Sequence, residues 1–201
     1  MSDLIDSLIA RARAAQQIVE TYSQERVREL AQAIALTAIS HADQWAVQTM
    51  EETKLGDIPS KIGRIQDRPR GVMRDLLTAK TVGVIEVDEE KGITKIAKPV
   101  GVIAAIVPMT VPETVPIIKG MNAIMGRNAM ICSPHPKAKG ITNTVVDAMR
   151  KTMRDFGAPE DIFICIDEPT MALSRELMEK CDLVIATGGS GLVKAAYSSG
   201  T

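Results

Sequence analysis

The most constraining stretch of this sequence runs from Lys98 to Pro136, where apolar runs alternate with proline-marked turns. Val100 to Val107 is an uninterrupted apolar run rich in β-branched residues, which is typical of a strand covered on both faces of a parallel sheet. After the turn at Pro108–Pro112, Glu113 to Met125 predicts a helix and Asn128 to Cys132 a second buried strand. These elements form a βαβ unit, and nucleotides bind where the strands of such units end.

The same alternation of strand and helix continues downstream of this unit. It predicts strands at Ile162–Ile166 and Asp182–Ala186, and helices at Gly140–Phe156, at Thr170–Lys180 and from about Leu192. Strands separated by helices favour a parallel sheet with helices on both faces. We therefore predict an α/β fold, a Rossmann-like doubly wound parallel sheet, over residues 99–201.

Residues 1–80 are predicted to form an N-terminal helical segment, because apolar residues recur there at helical spacing. Three helices are expected between Ser2 and Leu55, and Ser23 is placed to cap the second. Lys61 to Thr78 predicts a further, basic helix that Pro69 must interrupt or kink.

Residues 81–98 predict an antiparallel hairpin. Two strand-like arms, TVGVIEVD and ITKIAK, flank the polar turn EEKG. Such a ribbon either protrudes and pairs with a neighbouring subunit or lies on the surface of its own domain. The sequence alone leaves both alternatives open.

Composition excludes several classes of function. The net charge of −1 and the aromatic content of 2% argue against nucleic-acid binding. No apolar run approaches the length of a membrane span, and the N-terminus lacks the apolar core of a signal peptide. The three cysteines, Cys132, Cys165 and Cys181, are widely spaced beside only two histidines, which predicts no metal site and fits a reducing cytoplasm.

Two loops at predicted strand ends are candidates for ligand binding. Thr187–Gly191 follows a strand and precedes a helix, so its glycines would let backbone N–H groups approach an anion. The pattern matches neither a GxGxxG fingerprint nor a Walker loop, and a tight structural turn is the alternative. In the second loop, Ser133–Lys139, the hydroxyl of Ser133, the imidazole of His135 and Lys137 could hold a ribose or a phosphate. The alternative is that His135 is an ordinary histidine of a surface loop.

Catalytic chemistry is not visible in these residues. The sequence offers no Ser-His-Asp set and no paired carboxylates. Cys132 lies inside a predicted strand and Cys181 precedes one, so neither has the cationic or helix-terminal setting that activates a thiol. What the residues indicate is nucleotide binding.

Four segments together resemble the CoA-acylating branch of the aldehyde dehydrogenase superfamily. They are KPVGVIAAIVP, RNAMICSPHPKAK, GAPEDIFICIDEP and ATGGSGLVKAAYSSG. The resemblance is strong over residues 98–201 and compatible over the helical N-terminus. It implies the nucleotide-binding domain of such an enzyme, with residues 81–98 as its oligomerisation hairpin and a homo-oligomer as its assembly.

The resemblance also implies site residues and a reaction. The adenosine of NAD(P) would be bordered by Ser133, Pro134, His135 and Pro136. Its pyrophosphate and nicotinamide ribose would lie by Thr187, Gly188, Gly189 and Gly191. The route to the reacting carbon would be lined by Pro108, Met109 and Thr110. Enzymes of this family oxidise an aldehyde through a cysteine thiohemiacetal, pass hydride to NAD and transfer the acyl group to CoA. NADP stays open, because Lys137 or Lys139 could tolerate its extra phosphate, and the aldehyde is not indicated.

Two departures from the family bear on activity. None of the three cysteines stands at the nucleophile's place, and the chain stops at Thr201, before a catalytic domain is expected. Val111 stands where the family usually has an asparagine whose amide helps to bind the oxyanion, and losing such a donor typically costs about 10²–10³ in rate.

These departures leave several interpretations. The leading one is the NAD(P)-binding part of an acylating aldehyde dehydrogenase, inactive as this chain, in the cytoplasm or a bacterial microcompartment. The alternative is a stand-alone, non-catalytic protein that binds nucleotide or pairs with a full-length relative through the hairpin. In a third, Val111 belongs to an active longer enzyme with a shifted substrate preference.

Overall fold

The computed structural model describes residues 3–200, so the predicted ends at Ser2 and Thr201 lie outside the described residues. The helices are α1 (Asp3–Val19), α2 (Gln24–Ser40), α3 (Ala42–Thr53), α4 (Ile58–Thr78), α5 (Val115–Met125), α6 (Lys139–Asp155), α7 (Met171–Lys180) and α8 (Ser190–Tyr197). The strands are β1 (Gly83–Asp88), β2 (Ile93–Ala97), β3 (Val102–Val107), β4 (Ala129–Pro134), β5 (Phe163–Cys165) and β6 (Leu183–Ala186). Short 3₁₀ turns occupy Pro136–Ala138 and Glu160–Ile162.

The central sheet has four parallel strands in the order β5-β4-β3-β6. The chain moves outward from β3 to β4 and β5, then crosses back and places β6 on the other side of β3. Right-handed crossovers put α5 and α6 on one face of the sheet and α7 on the other. The predicted doubly wound, Rossmann-like sheet is confirmed, and its switch point lies between β3 and β6.

Both faces of this sheet are covered. All residues of β3 and β4 are buried, as continuous apolar strands require. Helices α5 and α6 pack against each other and the sheet, while α1 contacts β3, β4, β5 and α7. With so few aromatic residues, Trp45 and Phe163 are the largest fully buried side chains, and Ile, Leu, Val, Ala and Met fill the remaining core.

The N-terminal helices follow the predicted breaks, except that α4 starts at Ile58, before the predicted Lys61. Ser23 caps α2, because its side chain accepts a hydrogen bond from the amide of Arg26 at 3.2 Å. Helix α4 follows its cap Asp57 and continues without a break through Pro69, so Pro69 does not interrupt the helix, and the kink stays a prediction. Pro69 is buried, and burial of its ring offsets the one helical hydrogen bond that proline removes.

Two boundaries near the predicted site also differ. Strand β4 extends to Pro134, because Ser133 and Pro134 still pair with Ile106 and Val107 of β3; the loop proper starts at His135. Helix α5 begins at Val115, two residues after the predicted start at Glu113.

Strands β1 and β2 form an antiparallel ribbon that stands apart from the central sheet. Nearly every residue of both strands is exposed, so the ribbon protrudes and is not a hairpin packed on its own domain. Its base is fixed: the side-chain oxygen of Gln24 accepts from the amides of Thr81 and Val82, and Arg127 donates to the carbonyl of Ala97 at 2.9 Å.

No helix within residues 3–200 is long and apolar enough to cross a membrane. Over the same residues, no three His, Cys, Asp or Glu side chains gather in a group that could hold a metal ion.

Candidate functional site

A cavity of about 1240 Å³ opens where β3, β4 and β6 end, at the switch point of the sheet. Three loops that are distant in sequence meet there, because the carboxyl ends of parallel strands lie at one edge of the sheet. Every cofactor-contact residue predicted from the sequence lines this cavity: Pro108, Met109, Thr110, Ser133, Pro134, His135, Pro136, Thr187, Gly188, Gly189 and Gly191.

The turn from β6 into α8 uses its glycines in two ways. A Cβ at Gly188 would lie 2.6 Å from Cδ2 of Leu192, so a side chain at this position would require the Leu192 side chain to move. Gly189 and Gly191 face open space, where a ligand could approach the backbone closely. Gly189 is the N-cap of α8 and no side chain caps this helix, so its first N–H groups are free to bind an anion.

The wall formed by β4 and the loop after it is polar. Ser133 is buried and its hydroxyl oxygen lies 2.7 Å from that of Ser174 in α7. His135 is exposed, and its Nδ1 accepts a hydrogen bond from the amide of Lys137 at 3.1 Å. The ammonium group of Lys139 is paired with Glu168, whereas within residues 3–200 that of Lys137 has no ion-pair partner.

The turn after β3 forms the third wall. Pro108 and Met109 are half-buried and Thr110 is exposed, and all three line the cavity. The carbonyl of Val111 accepts hydrogen bonds from two amides at the start of α5. Its side chain is half-buried and is not among the cavity-lining side chains in the described part of the chain.

A buried charge pair lies behind this turn, and sequence reasoning missed it. Oε1 of Glu113 is 3.7 Å from Nζ of Lys61 in α4, and both side chains are almost fully buried. Oε2 of Glu113 is buried without a hydrogen-bond partner. The sequence offered no signal for this pair, since most of α4, the ribbon and β3 lie between its members.

The three cysteines are not poised for nucleophilic chemistry. Burial raises the pKa of Cys132 to about 12, and it also raises the pKa of Cys165 and of Cys181. A thiol needs a lowered pKa to attack as the thiolate at neutral pH. Burial lowers the pKa of the half-buried Lys119, whose ammonium lies near Cys132.

Helices α7 and α8 supply most of the lining that sequence reasoning did not find. From them come Met171, Ser174, Arg175, Met178, Leu192 and Ala195. The crossover that carries β6 back beside β3 places α7 against this edge of the sheet, and helical periodicity alone does not report which helix will border a cavity.

Comparison with known proteins agrees with this architecture. The model of the aldehyde dehydrogenase family matches residues 2–200. The chain belongs to that family. Among its relatives, a sulfoacetaldehyde dehydrogenase from an Acholeplasma species is 43% identical over 98% of this chain and 41% of its own length. The acetylating succinate-semialdehyde dehydrogenase of Clostridium kluyveri is 40% identical over 98% of this chain and 43% of its own length.

A solved structure extends the likeness to three dimensions. The crystal structure of an acetylating aldehyde dehydrogenase from Geobacillus thermoglucosidasius matches with a TM-score of 0.95 and 38% identity, over 98% of this chain and 44% of that one. The predicted kinship with the acylating branch is confirmed. The chain spans less than half of the length of these relatives and corresponds to their N-terminal part.

Proposed function

We propose that this chain is the NAD(P)-binding part of an aldehyde dehydrogenase that oxidises an aldehyde to an acyl-CoA. The observation that supports this most is the convergence of the three loops on one cavity at the switch point of the sheet. Doubly wound sheets bind dinucleotides at that place. The cavity exceeds the roughly 300–1,000 Å³ of an ordinary small-molecule site, so a dinucleotide has room.

The residues present fit such a cofactor, which when bound accepts hydride from the aldehyde carbon. The uncapped first turn of α8, with Gly189 and Gly191, would bind the pyrophosphate through backbone N–H groups. Ser133 to Pro136 would flank the adenosine, and Pro108 to Thr110 would orient the nicotinamide. CoA is the acyl acceptor that we propose for the longer enzyme.

NAD is the cofactor we propose, and one lysine beside the cavity could also accommodate the extra phosphate of NADP. Lys139 is neutralised by Glu168, but Lys137 is exposed beside His135 and could pair with a ribose phosphate. The three free thiols support a reducing location, the cytoplasm or a microcompartment within it.

The protruding ribbon supports a homo-oligomer. Val84, Val87 and Ile96, on neighbouring positions of its two strands, are 52%, 58% and 56% exposed. We propose that this face pairs with a second copy of the chain, since an exposed apolar ribbon is otherwise a liability.

One observation favours a second candidate function. The side chain of Val111 has no hydrogen-bond donor and does not line the cavity, as is expected if this position does not bind an oxyanion. The candidate is a non-catalytic protein that binds nucleotide or pairs with a full-length relative. The intact mass of the protein from its native source separates the two: a product about twice this length supports the enzyme part, and one of 201 residues supports the second candidate.

Titration of the purified chain with NADH, followed by nucleotide fluorescence, tests cofactor binding. We expect saturable binding that Gly189→Asp weakens at least about tenfold, because a carboxylate at the start of α8 repels the pyrophosphate. Gly63→Asp is the matched control, since it adds the same charge in open space on α4. Absence of NADH binding by the unaltered chain, or equal affinity in both variants, would refute the proposal.

A further inference from the structure

The N-terminus of α6 is capped by a side chain from a distant helix. Ala138, at the N-cap position, has no side-chain acceptor. Instead Glu52 in α3 accepts from two consecutive amides: its Oε1 lies 2.7 Å from N of Gly140 and its Oε2 lies 2.6 Å from N of Ile141. One carboxylate thus satisfies two of the N–H groups that a helix start leaves unpaired.

The surrounding residues are fitted to this contact. A Cβ at Gly140 would lie 3.0 and 3.1 Å from the two carboxylate oxygens of Glu52. The absence of a side chain at Gly140 therefore gives the carboxylate room to approach the helix. One turn away, Nε2 of Gln48 donates to the hydroxyl of Thr144 at 3.0 Å. Helix α3 therefore holds the beginning of α6 at two successive turns.

This contact lies at the end of a cavity wall. The 3₁₀ turn Pro136–Ala138 runs directly into α6, and His135 and Pro136 line the cavity. The loop is internally closed, because the amide of Ala138 donates to the carbonyl of His135 at 2.8 Å. A shift of the first turn of α6 would therefore move His135 and Pro136 with it.

We propose that Glu52 is a positioning residue for the nucleotide cavity, an inference that rests on the function proposed above. It fixes the His135–Pro136 wall. It also occupies the amides of α6, which would otherwise attract an anion. The cofactor phosphates are thereby directed to α8, whose N-terminus no side chain caps.

The test compares Glu52→Ala with Glu51→Ala, which removes the same charge from the exposed neighbouring residue. The chain has two histidines, so the imidazole NMR signal of His135 reports the loop and that of His41, at the α2–α3 junction, is the reference. NADH affinity is measured on the same samples, with and without formate, which can occupy the vacated carboxylate site.

In Glu52→Ala we expect a displaced His135 signal, an unchanged His41 signal and roughly tenfold weaker NADH binding. Formate should restore both properties in part, whereas Glu51→Ala should match the unaltered chain. A purely structural role would lower thermal stability without moving the His135 signal of the folded protein.

The outcomes separate this inference from the proposed function. An unmoved His135 signal in Glu52→Ala overturns it, and so does a moved signal with NADH affinity unchanged. If His135 moves but the unaltered chain binds no NADH, the hold of Glu52 on the loop stands and the nucleotide-binding function fails.

Discussion

At the scale of single residues, the buried Lys61–Glu113 pair lies directly behind the turn after β3. Burying two charges is costly, and the geometry here is loose, with 3.7 Å between Nζ and Oε1. The pair joins α4 to the start of α5, directly beyond the turn that contains Pro108 to Thr110. The fold therefore tolerates this cost next to a cavity wall.

Replacing one partner of this pair should be far worse than replacing both. We expect Lys61→Met to lower the free energy of unfolding by about 3–5 kcal/mol, because it leaves Glu113 as an uncompensated buried charge. The double variant Lys61→Met/Glu113→Met should recover most of that loss. Urea unfolding measures both, and Lys95→Met, at the exposed pair with Glu86, should cost no more than about 1 kcal/mol. Equal losses in the single and double variants would contradict this account.

Asp161 should govern part of the response to acid. Hydrogen bonds from Arg11 and Arg150 hold the pKa of Asp161 below its usual value, although burial opposes them. Its contribution to stability is therefore complete above the unfolded pKa of about 3.9 and is lost as the pH falls through the lower folded value.

The unfolding free energy, measured from pH 6 to pH 2, should consequently fall less steeply with acid in Asp161→Asn than in the unaltered chain. Asp67→Asn, which removes an exposed carboxylate near Arg70 on α4, is the matched control for the loss of one surface charge. If the unfolding free energy of Asp161→Asn falls with decreasing pH as steeply as that of the unaltered chain, the ion pairs of Asp161 do not persist in solution.

At the scale of elements, the β1–β2 ribbon has a hydrogen-bonded base and an exposed surface. Arg127, a non-glycine residue with φ of 60°, donates to the carbonyls of Glu20 and Ala97 at 2.8 and 2.9 Å and so joins α1 to the ribbon. The ribbon is thus held in one orientation by the domain, which lowers the ordering cost of docking.

Placing a charge on the ribbon should prevent the proposed pairing of two copies. If the chain forms the proposed homo-oligomer, we expect Val87→Lys to give a smaller species in light scattering, because the lysine would have to be desolvated in that interface. Leu77→Lys is the matched control, since Leu77 is a similarly exposed apolar residue outside the ribbon. A monomeric unaltered chain, or no change with Val87→Lys, would refute pairing through this face.

At the scale of the whole molecule, the described residues form a cavity large enough for a dinucleotide, but none of their three thiols is activated as a nucleophile. We expect the chain alone to show no NAD- and CoA-dependent oxidation of acetaldehyde in an absorbance assay at 340 nm, because its three thiols are buried with raised pKa values. Robust turnover by the pure chain would overturn this prediction. A relative of full length, assayed in parallel, shows that the conditions support catalysis.

The sequence was sufficient for the features that follow from local pattern. The buried run Val100–Val107 predicted a strand, and the parallel sheet then brought the loops that start at Pro108, His135 and Thr187 to one edge. Contacts between residues distant in sequence, such as that of Glu52 with the first amides of α6, could not be predicted from the sequence, because periodicity does not say which helices will pack together. The continuity of α4 through Pro69 could not be predicted for the same reason, because the burial of the proline ring depends on packing.

The strand order has a consequence for how the protein is made. Strand β3 is complete at Val107, but the strand that covers its second edge, β6, starts only at Leu183. At about 5–20 residues per second, the ribosome takes roughly 4–15 s to deliver that partner. During this interval the emerging chain exposes an apolar strand with one unpaired edge, so a chaperone should bind the nascent chain most strongly before β6 emerges.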